Sequence, residues 1–210
     1  AVSVLDPKPG MKILDLCAAP GSKTTAIAEK MENDGFLVAN EIHPRRVLAL
    51  KENVERNGAA NCLVLNSTPE QVAKDFPLFF DAVLCDAPCS GEGMFRKEEQ
   101  AQTEWSMENV IRCAKRQEEI LEKAYECVKP GGILVYSTCT LNLEENELQL
   151  LHFLNNHHDM RMEKTDVFSG RSGYDCGMHT EYARHIYPMD GGEGHFVARM
   201  KKEGGIEDAY

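Results

Sequence analysis

Eight cysteines are spread singly along the chain, and two of them, Cys89 and Cys139, stand where a thiol can do chemistry. Cys139 lies in Tyr136-Ser137-Thr138-Cys139-Thr140, followed by a polar run, and Cys89 lies in Asp86-Ala87-Pro88-Cys89-Ser90-Gly91. A cysteine near a strand is ordinarily a small buried hydrophobe. The hydroxyl neighbours of Cys139, and the tight turn that Pro88 and Ser90-Gly91 impose on Cys89, argue instead for accessible thiols. A thiolate in such a place is a nucleophile. Cys17, Cys62, Cys85, Cys113 and Cys127 sit in apolar segments and read as core. No CxxC pair exists, so the spacing of a zinc site is missing and no metal is expected; reduced thiols in a cytoplasmic protein are the simpler reading.

A second group of residues has the pattern of a nucleotide-like ligand site. The stretch Asp15-Leu16-Cys17-Ala18-Ala19-Pro20-Gly21-Ser22-Lys23 follows the first apolar run. It lacks the G-x-G-x-x-G spacing that brings backbone against a pyrophosphate, and it lacks the earlier glycine of a Walker loop although it ends in Gly-Ser-Lys. Small residues at Ala18, Ala19 and Gly21 let the chain pass close to a ligand, and Asp15 can meet an ammonium group. S-adenosylmethionine carries such a group. Glu41 ends the second apolar run, where an acid accepts hydrogen bonds from both ribose hydroxyls; the alternative is a helix-capping carboxylate. Asn66-Ser67-Thr68 closes the third run, where an adenine would be contacted, and no acid stands there.

These residues need strand ends and loops to present them, and the hydrophobic pattern supplies both. Short apolar runs alternate with amphipathic stretches, the signature of stacked βαβ units and a mostly parallel sheet. Strands are expected at Met11–Leu16, Phe36–Ala39, Cys62–Leu65, Phe80–Cys85 and Ile133–Tyr136. Helices are expected at Gly21–Met31, Pro44–Asn57 and Glu144–Asn155, and a long one from Met107 to Val128, ended by the turn Lys129-Pro130-Gly131-Gly132. Asp86 to Gln102 reads as a loop too long to be a mere connector. Glu144, Glu145 and Glu147 read as acids capping a helix start. Met160–Met162 is a candidate strand, Thr165 to Glu181 reads as irregular, and Arg184–Tyr187 and His195–Met200 read as two strands joined through Gly191, Gly192 and Gly194.

The size is that of one globular domain. No apolar run reaches membrane-spanning length and no leader pattern opens the chain, so a soluble, cytoplasmic protein without a membrane partner is expected. The formal net charge of −11 counts against a nucleic-acid partner, because phosphate binding needs clustered cations. Local basic groups occur at Arg45-Arg46, Arg96-Lys97, Arg112 with Lys115-Arg116, and Arg199 with Lys201-Lys202; solvated helix faces explain such clusters equally well.

Three motifs make the pattern specific: DLCAAPGSKTT from Asp15, DAPCSGEGMFRK from Asp86 and YSTCTLNLEENE from Tyr136. In this order they resemble the motifs of the Sun-domain RNA 5-methylcytosine methyltransferases, and YPMDGGEGHFVARMKK from Tyr187 is similar to the C-terminal segment of their bacterial RsmF-like branch. The resemblance spans nearly the whole chain. It implies a Rossmann-like class I methyltransferase fold with an antiparallel C-terminal strand, S-adenosylmethionine as cofactor, and RNA as substrate, 16S rRNA or the 30S subunit before tRNA. It implies that Cys139 attacks carbon 6 of cytosine, that Cys89 assists release, that Asp86 hydrogen-bonds the base and also borders the cofactor, and that Lys23 polarises the base and lowers a thiol pKa. Phe95 and Arg96 are candidates for stacking on the target nucleotide.

Members of that family carry N-terminal and C-terminal RNA-binding parts, so residues 1–210 read as the catalytic domain of a longer protein. Competing readings are methylation of a base amino group, with Asp86-Ala87-Pro88-Cys89 in the place of an Asn/Asp-Pro-Pro-aromatic motif, and a ribosome-assembly factor that keeps the fold without catalysis. The first leaves Cys139 without a task, and the second leaves Cys139, Cys89, Asp86 and Lys23 without one.

Overall fold

The computed structural model describes residues 1–94, 105–165, 170–190 and 193–204; Phe95, Arg96, Lys97, Gly191 and Gly192 fall outside the described residues. In chain order the elements are α1 (Val2–Leu5), β1 (Lys12–Asp15), α2 (Ser22–Lys30), β2 (Phe36–Asn40), α3 (Pro44–Asn57), β3 (Cys62–Leu65), α4 (Pro69–Asp75) and β4 (Phe80–Asp86). There follow α5 (Met107–Cys127), β5 (Val128–Thr138), α6 (Glu147–Asn156), β6 (Met160–Glu163), β7 (Arg171–Ser172), β8 (Arg184–Ile186) and β9 (His195–Lys202).

The described strands form one sheet in the order β3-β2-β1-β4-β5-β9-β8-β7, with β6 also paired to β9. β1 to β5 are parallel, and β9 runs antiparallel to β5 in the register Ile133 with Lys201 through Thr138 with Phe196. Strand order reverses between β1 and β4, which places the ligand crevice of a doubly wound sheet at their carboxyl ends. Asp15 ends β1 and Asp86 ends β4.

Two-residue alternation along the strands builds a core on each face. Leu14, Val38, Val83, Leu134 and Tyr136 point to one side, where Val72 of α4, Leu121 and Ala124 of α5 and Leu150 and Phe153 of α6 cover them. Ile13, Leu37, Leu84 and Val135 point to the other, against Val4 of α1, Ile27 of α2 and Leu50 and Val54 of α3. Each fully buried Leu or Ile here contributes about 1.5–3 kcal/mol of transfer free energy. The result is a three-layer α/β/α sandwich with a rigid crevice edge.

Several expectations need correction. α4 was not anticipated; Thr68 caps it, its hydroxyl accepting from Gln71 N, and Pro69 occupies the first turn, where a missing N–H costs nothing. The long helix stops at Cys127, because Val128 is already extended and pairs with Phe80. The Lys129 to Gly132 turn is a bulge within β5 that returns to the ladder at Ile133 opposite Ala82. The stretch Thr165 to Glu181 contains β7, and a 3-10 turn begins at Thr180. α6 begins at Glu147, since residues 142–146 are drawn into side-chain hydrogen bonds around the site.

Candidate active site

The first turn lies between the sheet and α3. Ala18 N donates to Asn40 O at 2.8 Å, Asn53 Nδ2 to Pro20 O at 2.6 Å and Arg46 Nη2 to Ala19 O at 3.0 Å. Gly21 has φ +111°, and a side chain there would press on Leu50 and Asn53 at 3.1 and 3.3 Å, so both the turn and the packing need glycine. Ser22 opens α2, and Lys23 follows in its first turn.

A cavity of about 790 Å³ opens over this turn and runs across the ends of β2 and β4 to the cysteines. Leu16, Cys17 and Ala19 line it from the first turn, Glu41 to His43 and Arg46 from the end of β2 and α3, and Thr68 to Glu70 from the start of α4. Asp86, Ala87, Pro88, Cys89 and Cys139 line its other end, with Arg116, Glu119, Ile120 and Lys123 of α5 as a wall. A second groove, about 650 Å³, lies between α3 and β3 and contains none of the cysteines expected to react.

Glu41 is 3% exposed yet lines the cavity; its Oε1 accepts from His43 N at 3.0 Å and its Oε2 lies 3.8 Å from Arg46 Nη1. Asp15 lies beneath the turn, fully buried, with Thr24 Oγ1 donating to Oδ2 at 2.7 Å and no partner for Oδ1 among the described residues. Desolvation pushes its carboxyl up to about 7, against the lowering effect of the Thr24 hydroxyl. Of Asn66-Ser67-Thr68 only Thr68 borders the cavity. Asn66 donates to Glu41 O at 2.7 Å and Ile42 O at 3.1 Å, and Ser67 exchanges hydrogen bonds with the Asn40 side chain, so these two brace the end of β2. Glu70, at the start of α4, also lines the cavity; the sequence pattern does not single it out because α4 is too short to show as a periodic stripe.

At the other end the two singled-out cysteines meet: Cys89 Sγ and Cys139 Sγ are 2.9 Å apart, and Cys139 N also donates to Cys89 Sγ at 3.2 Å. The hydrogen bond from the Cys89 thiol holds the Cys139 thiol below its ordinary range; burial and Asp86 oppose this and Lys23 supports it. The same contact, with burial, drives Cys89 up. The two thiols are thus shifted in opposite directions, Cys139 toward easier and Cys89 toward harder loss of its proton.

Asp86 is placed by Lys23 Nζ at 2.7 Å from Oδ2 and by Ser137 Oγ at 2.6 Å from Oδ1. Burial works against the charge on Lys23, but the Asp86 carboxylate outweighs it and raises the ammonium pKa. The DAPC turn, the STC turn and the first helix are thereby joined in one polar cluster at the crevice edge. Burial pushes the thiols of Cys17, Cys62, Cys85, Cys113 and Cys127 up; Cys85 and Cys127 are buried core cysteines as expected, whereas Cys17, Cys62 and Cys113 are half-buried and Cys17 lines the cavity.

Sequence reasoning missed the polar frame around the cysteines. Glu145 and Glu147 stand at a helix start as expected, Glu147 in the first turn of α6, but their carboxylates are fully buried and bonded to other elements. Glu147 Oε1 faces His185 Nε2 at 2.5 Å and accepts from Tyr174 N at 2.9 Å, joining α6 to β8. Glu145 accepts from Ser90, next to Cys89, and from Gln117. Both acids stand in the motif from Tyr136, which is the available signal; Gln117 of α5, which joins Glu145 to Pro88 O, gives none. Among the described residues no cluster of His, Cys, Asp and Glu has the arrangement of a metal site, and no helix is long and apolar enough to cross a membrane.

A doubly wound sheet with an antiparallel strand beyond β5, and a cavity above β1 and β2 that continues to the end of β4, define a Rossmann-like class I methyltransferase fold. Known structures agree. A methyltransferase homologue from Pyrococcus horikoshii superposes with TM-score 0.84 at 33% identity, covering 96% of this chain and 64% of that one. NSun6 from Pyrococcus horikoshii, crystallised with SFG, superposes with TM-score 0.83 at 32% identity, covering 96% and 50%. The profile of the family described as "16S rRNA methyltransferase RsmB/F" matches residues 2–201, and the chain belongs to that family. It is 44% identical over 191 residues to ribosomal RNA small subunit methyltransferase F of Vibrio vulnificus, covering 90% of this chain and 40% of that protein. The Escherichia coli protein of that name is 40% identical over 194 residues, covering 91% and 40%. The chain thus spans about 40% of the length of these relatives.

Proposed function

We propose that this chain methylates carbon 5 of a cytosine in RNA, of the small ribosomal subunit by analogy with its relatives, with Cys139 as nucleophile and S-adenosylmethionine as methyl donor. The observation that carries the reading is the thiol pair, a hydrogen-bonded Cys89 and Cys139 at the end of a cavity that continues over Glu41.

The residues fit the cofactor. Glu41 presents a nearly buried carboxylate where ribose hydroxyls need an acceptor, the Ala18 to Gly21 turn is thin, and the unpartnered Oδ1 of Asp15 below it favours a cation above. Glu41, Cys17, Ala19, Thr68 and Glu70 would hold it, and when bound it would supply an electrophilic methyl group. Its ammonium and sulfonium charges suit a cavity lined by Glu41, Glu70, Asp86 and Glu119.

Carbon 5 of cytosine is a poor nucleophile until carbon 6 has taken an electron pair. Cys139 Sγ bonds to carbon 6, and the electrons of the ring double bond move to carbon 5, which is then nucleophilic. Asp86 accepts from the exocyclic amine and, through Lys23, keeps its orientation. After transfer a base takes the carbon 5 proton, the double bond re-forms and Cys139 leaves as thiolate, with the Cys89 hydrogen bond stabilising the departing sulfur. Amino-group methylation would need none of this thiol geometry.

The test is transfer of tritium from labelled cofactor to unmodified 30S subunits or rRNA by the full-length protein, with the modified base mapped. Cys139→Ala should abolish transfer, and Cys89→Ala should accumulate a denaturation-resistant protein–RNA adduct that Cys139→Ala cannot form. Methylation surviving in Cys139→Ala, or label on an exocyclic amine, refutes the mechanism.

A further inference from the structure

The turn that carries Cys89 is held on both sides by one carboxylate. Glu145, fully buried, accepts at Oε1 from Ser90 N at 2.9 Å and from Gln117 Nε2 at 2.8 Å. Its Oε2 is bonded to Ser90 Oγ at 2.5 Å and to Asn142 Nδ2 at 2.6 Å. Gln117 Nε2 also donates to Pro88 O at 2.9 Å, so the residues before and after Cys89 are both fastened to this group. The other cysteine's turn is fastened to it as well: Ser90 Oγ meets Thr140 Oγ1 at 3.0 Å, Asn142 Nδ2 meets Thr140 Oγ1 at 2.9 Å, and Tyr136 Oη donates to Glu145 O at 2.7 Å. Glu147, two residues on, is also buried but joins α6 to β8, whereas Glu145 is enclosed between the two cysteine-bearing turns and does not border the cavity.

We propose that Glu145 is a positioning residue of the thiol pair, fixing the separation of Cys89 and Cys139 by clamping their two turns together without itself touching substrate. The inference rests on the covalent reading above for its catalytic meaning. Its physical content is independent of RNA: the hydrogen bond that lowers the Cys139 thiol pKa depends on the two sulfurs staying within reach, and they are 2.9 Å apart. The negative charge of Glu145 acts in the same sense, since it disfavours a thiolate on Cys89. A side-chain amide at 145 cannot replace the carboxylate. Either way round, its NH₂ faces a donor, Ser90 N and Gln117 Nε2 on one side or Asn142 Nδ2 on the other, and one arm of the clamp opens.

The experiment is alkylation of Cys139 by iodoacetamide across pH in the full chain, read by peptide mass spectrometry, for wild type, Glu145→Gln and Ser90→Ala. A merely structural role would lower the unfolding temperature and leave the pH profile in place. The expected result is a profile shifted to higher pH, with alkylation at neutral pH slowed about tenfold in Glu145→Gln and about threefold in Ser90→Ala. If Glu145→Gln does not unfold cooperatively, Ser90→Ala, which removes one hydroxyl and no charge, carries the test alone. A folded variant with the wild-type profile overturns the proposal. A shifted profile in a protein whose wild type methylates no cytosine sustains the clamp and sinks the cytosine reading, so the two fail separately.

Discussion

Replacing Asp15 with asparagine gives the most quantitative test of how this site is built. The carboxyl is 0% exposed, and desolvation raises its pKa from 3.8 to about 7, opposed by the Thr24 hydroxyl at 2.7 Å. Between those two values the folded protein keeps a proton on Asp15 that the unfolded chain has released. A raised folded-state pKa means a contribution to stability that is complete below the unfolded value and lost as pH rises through the folded one. Each pKa unit corresponds to about 1.4 kcal/mol, so the loss over the window is on the order of 4 kcal/mol. Asparagine keeps the shape and has no proton to lose, so Asp15→Asn should gain on wild type as pH rises.

Urea unfolding of both proteins without cofactor, at several values from about pH 4 to about pH 8, gives the difference directly, and subtraction removes the contributions of all other titrating groups. A difference that grows by several kcal/mol toward neutral pH supports the buried, protonated carboxyl. A flat difference refutes the reasoning and means that Asp15 ionises in the folded chain. A cationic cofactor above the turn would favour the ionised form, so cofactor binding near pH 6 should release a proton in wild type and none in the variant, measured by calorimetry in buffers of different ionisation enthalpy.

Lys23→Met should raise the Cys139 thiol pKa, because Lys23 is one of the groups holding it down, and should slow alkylation of Cys139 at neutral pH roughly threefold to tenfold. Glu41→Gln should weaken S-adenosylmethionine binding by about tenfold or more through the loss of a charged acceptor, with little change in unfolding temperature; equilibrium dialysis measures the first and calorimetric scanning the second. Tyr136→Phe removes the donor to Glu145 O inside the core and should cost about 1–3 kcal/mol in urea unfolding.

What could be read from the residues was set by how local the signal is. Period-two runs such as Leu37-Val38 and Ala82-Val83-Leu84 carry their own register, and the five parallel strands lie where the pattern put them. α4 was illegible because seven residues, Pro69–Asp75, hold too few turns for a periodic stripe, although the Thr68-Pro69 start was present. Within the site, Cys89 and Cys139 were identified by their turns, but their contact at 2.9 Å is a consequence of adjacent strands β4 and β5, fifty positions apart in sequence. Charge near a helix start explains Glu145 without any tertiary partner, so its buried partners are not legible in the sequence. Only tertiary structure shows Gln117, from another helix, reaching the same carboxylate.

The net charge of −11 stood against an RNA partner, and the side chains now locate the difficulty. Several cations of the basic clusters are committed within the fold. Arg199 bonds Glu163 and the carbonyl oxygens of Val4 and Leu5; Lys202 is 5% exposed and donates to Tyr125 O and Val128 O; Arg46 donates to Ala19 O. Arg116 and Lys123 on the cavity wall stand beside Glu119 and Glu70, so the cavity itself carries no positive excess. Under the proposed function, such a surface would recognise a base inserted into the crevice better than backbone. Under the proposed function, this chain alone should therefore bind single-stranded RNA weakly, with about three phosphate contacts and a slope of log affinity against log salt near −2. Fluorescence anisotropy with a labelled oligonucleotide between about 50 and 300 mM salt measures it. A slope of about −5 or steeper would mean about seven phosphate contacts and would refute the weak backbone recognition argued from the committed cations.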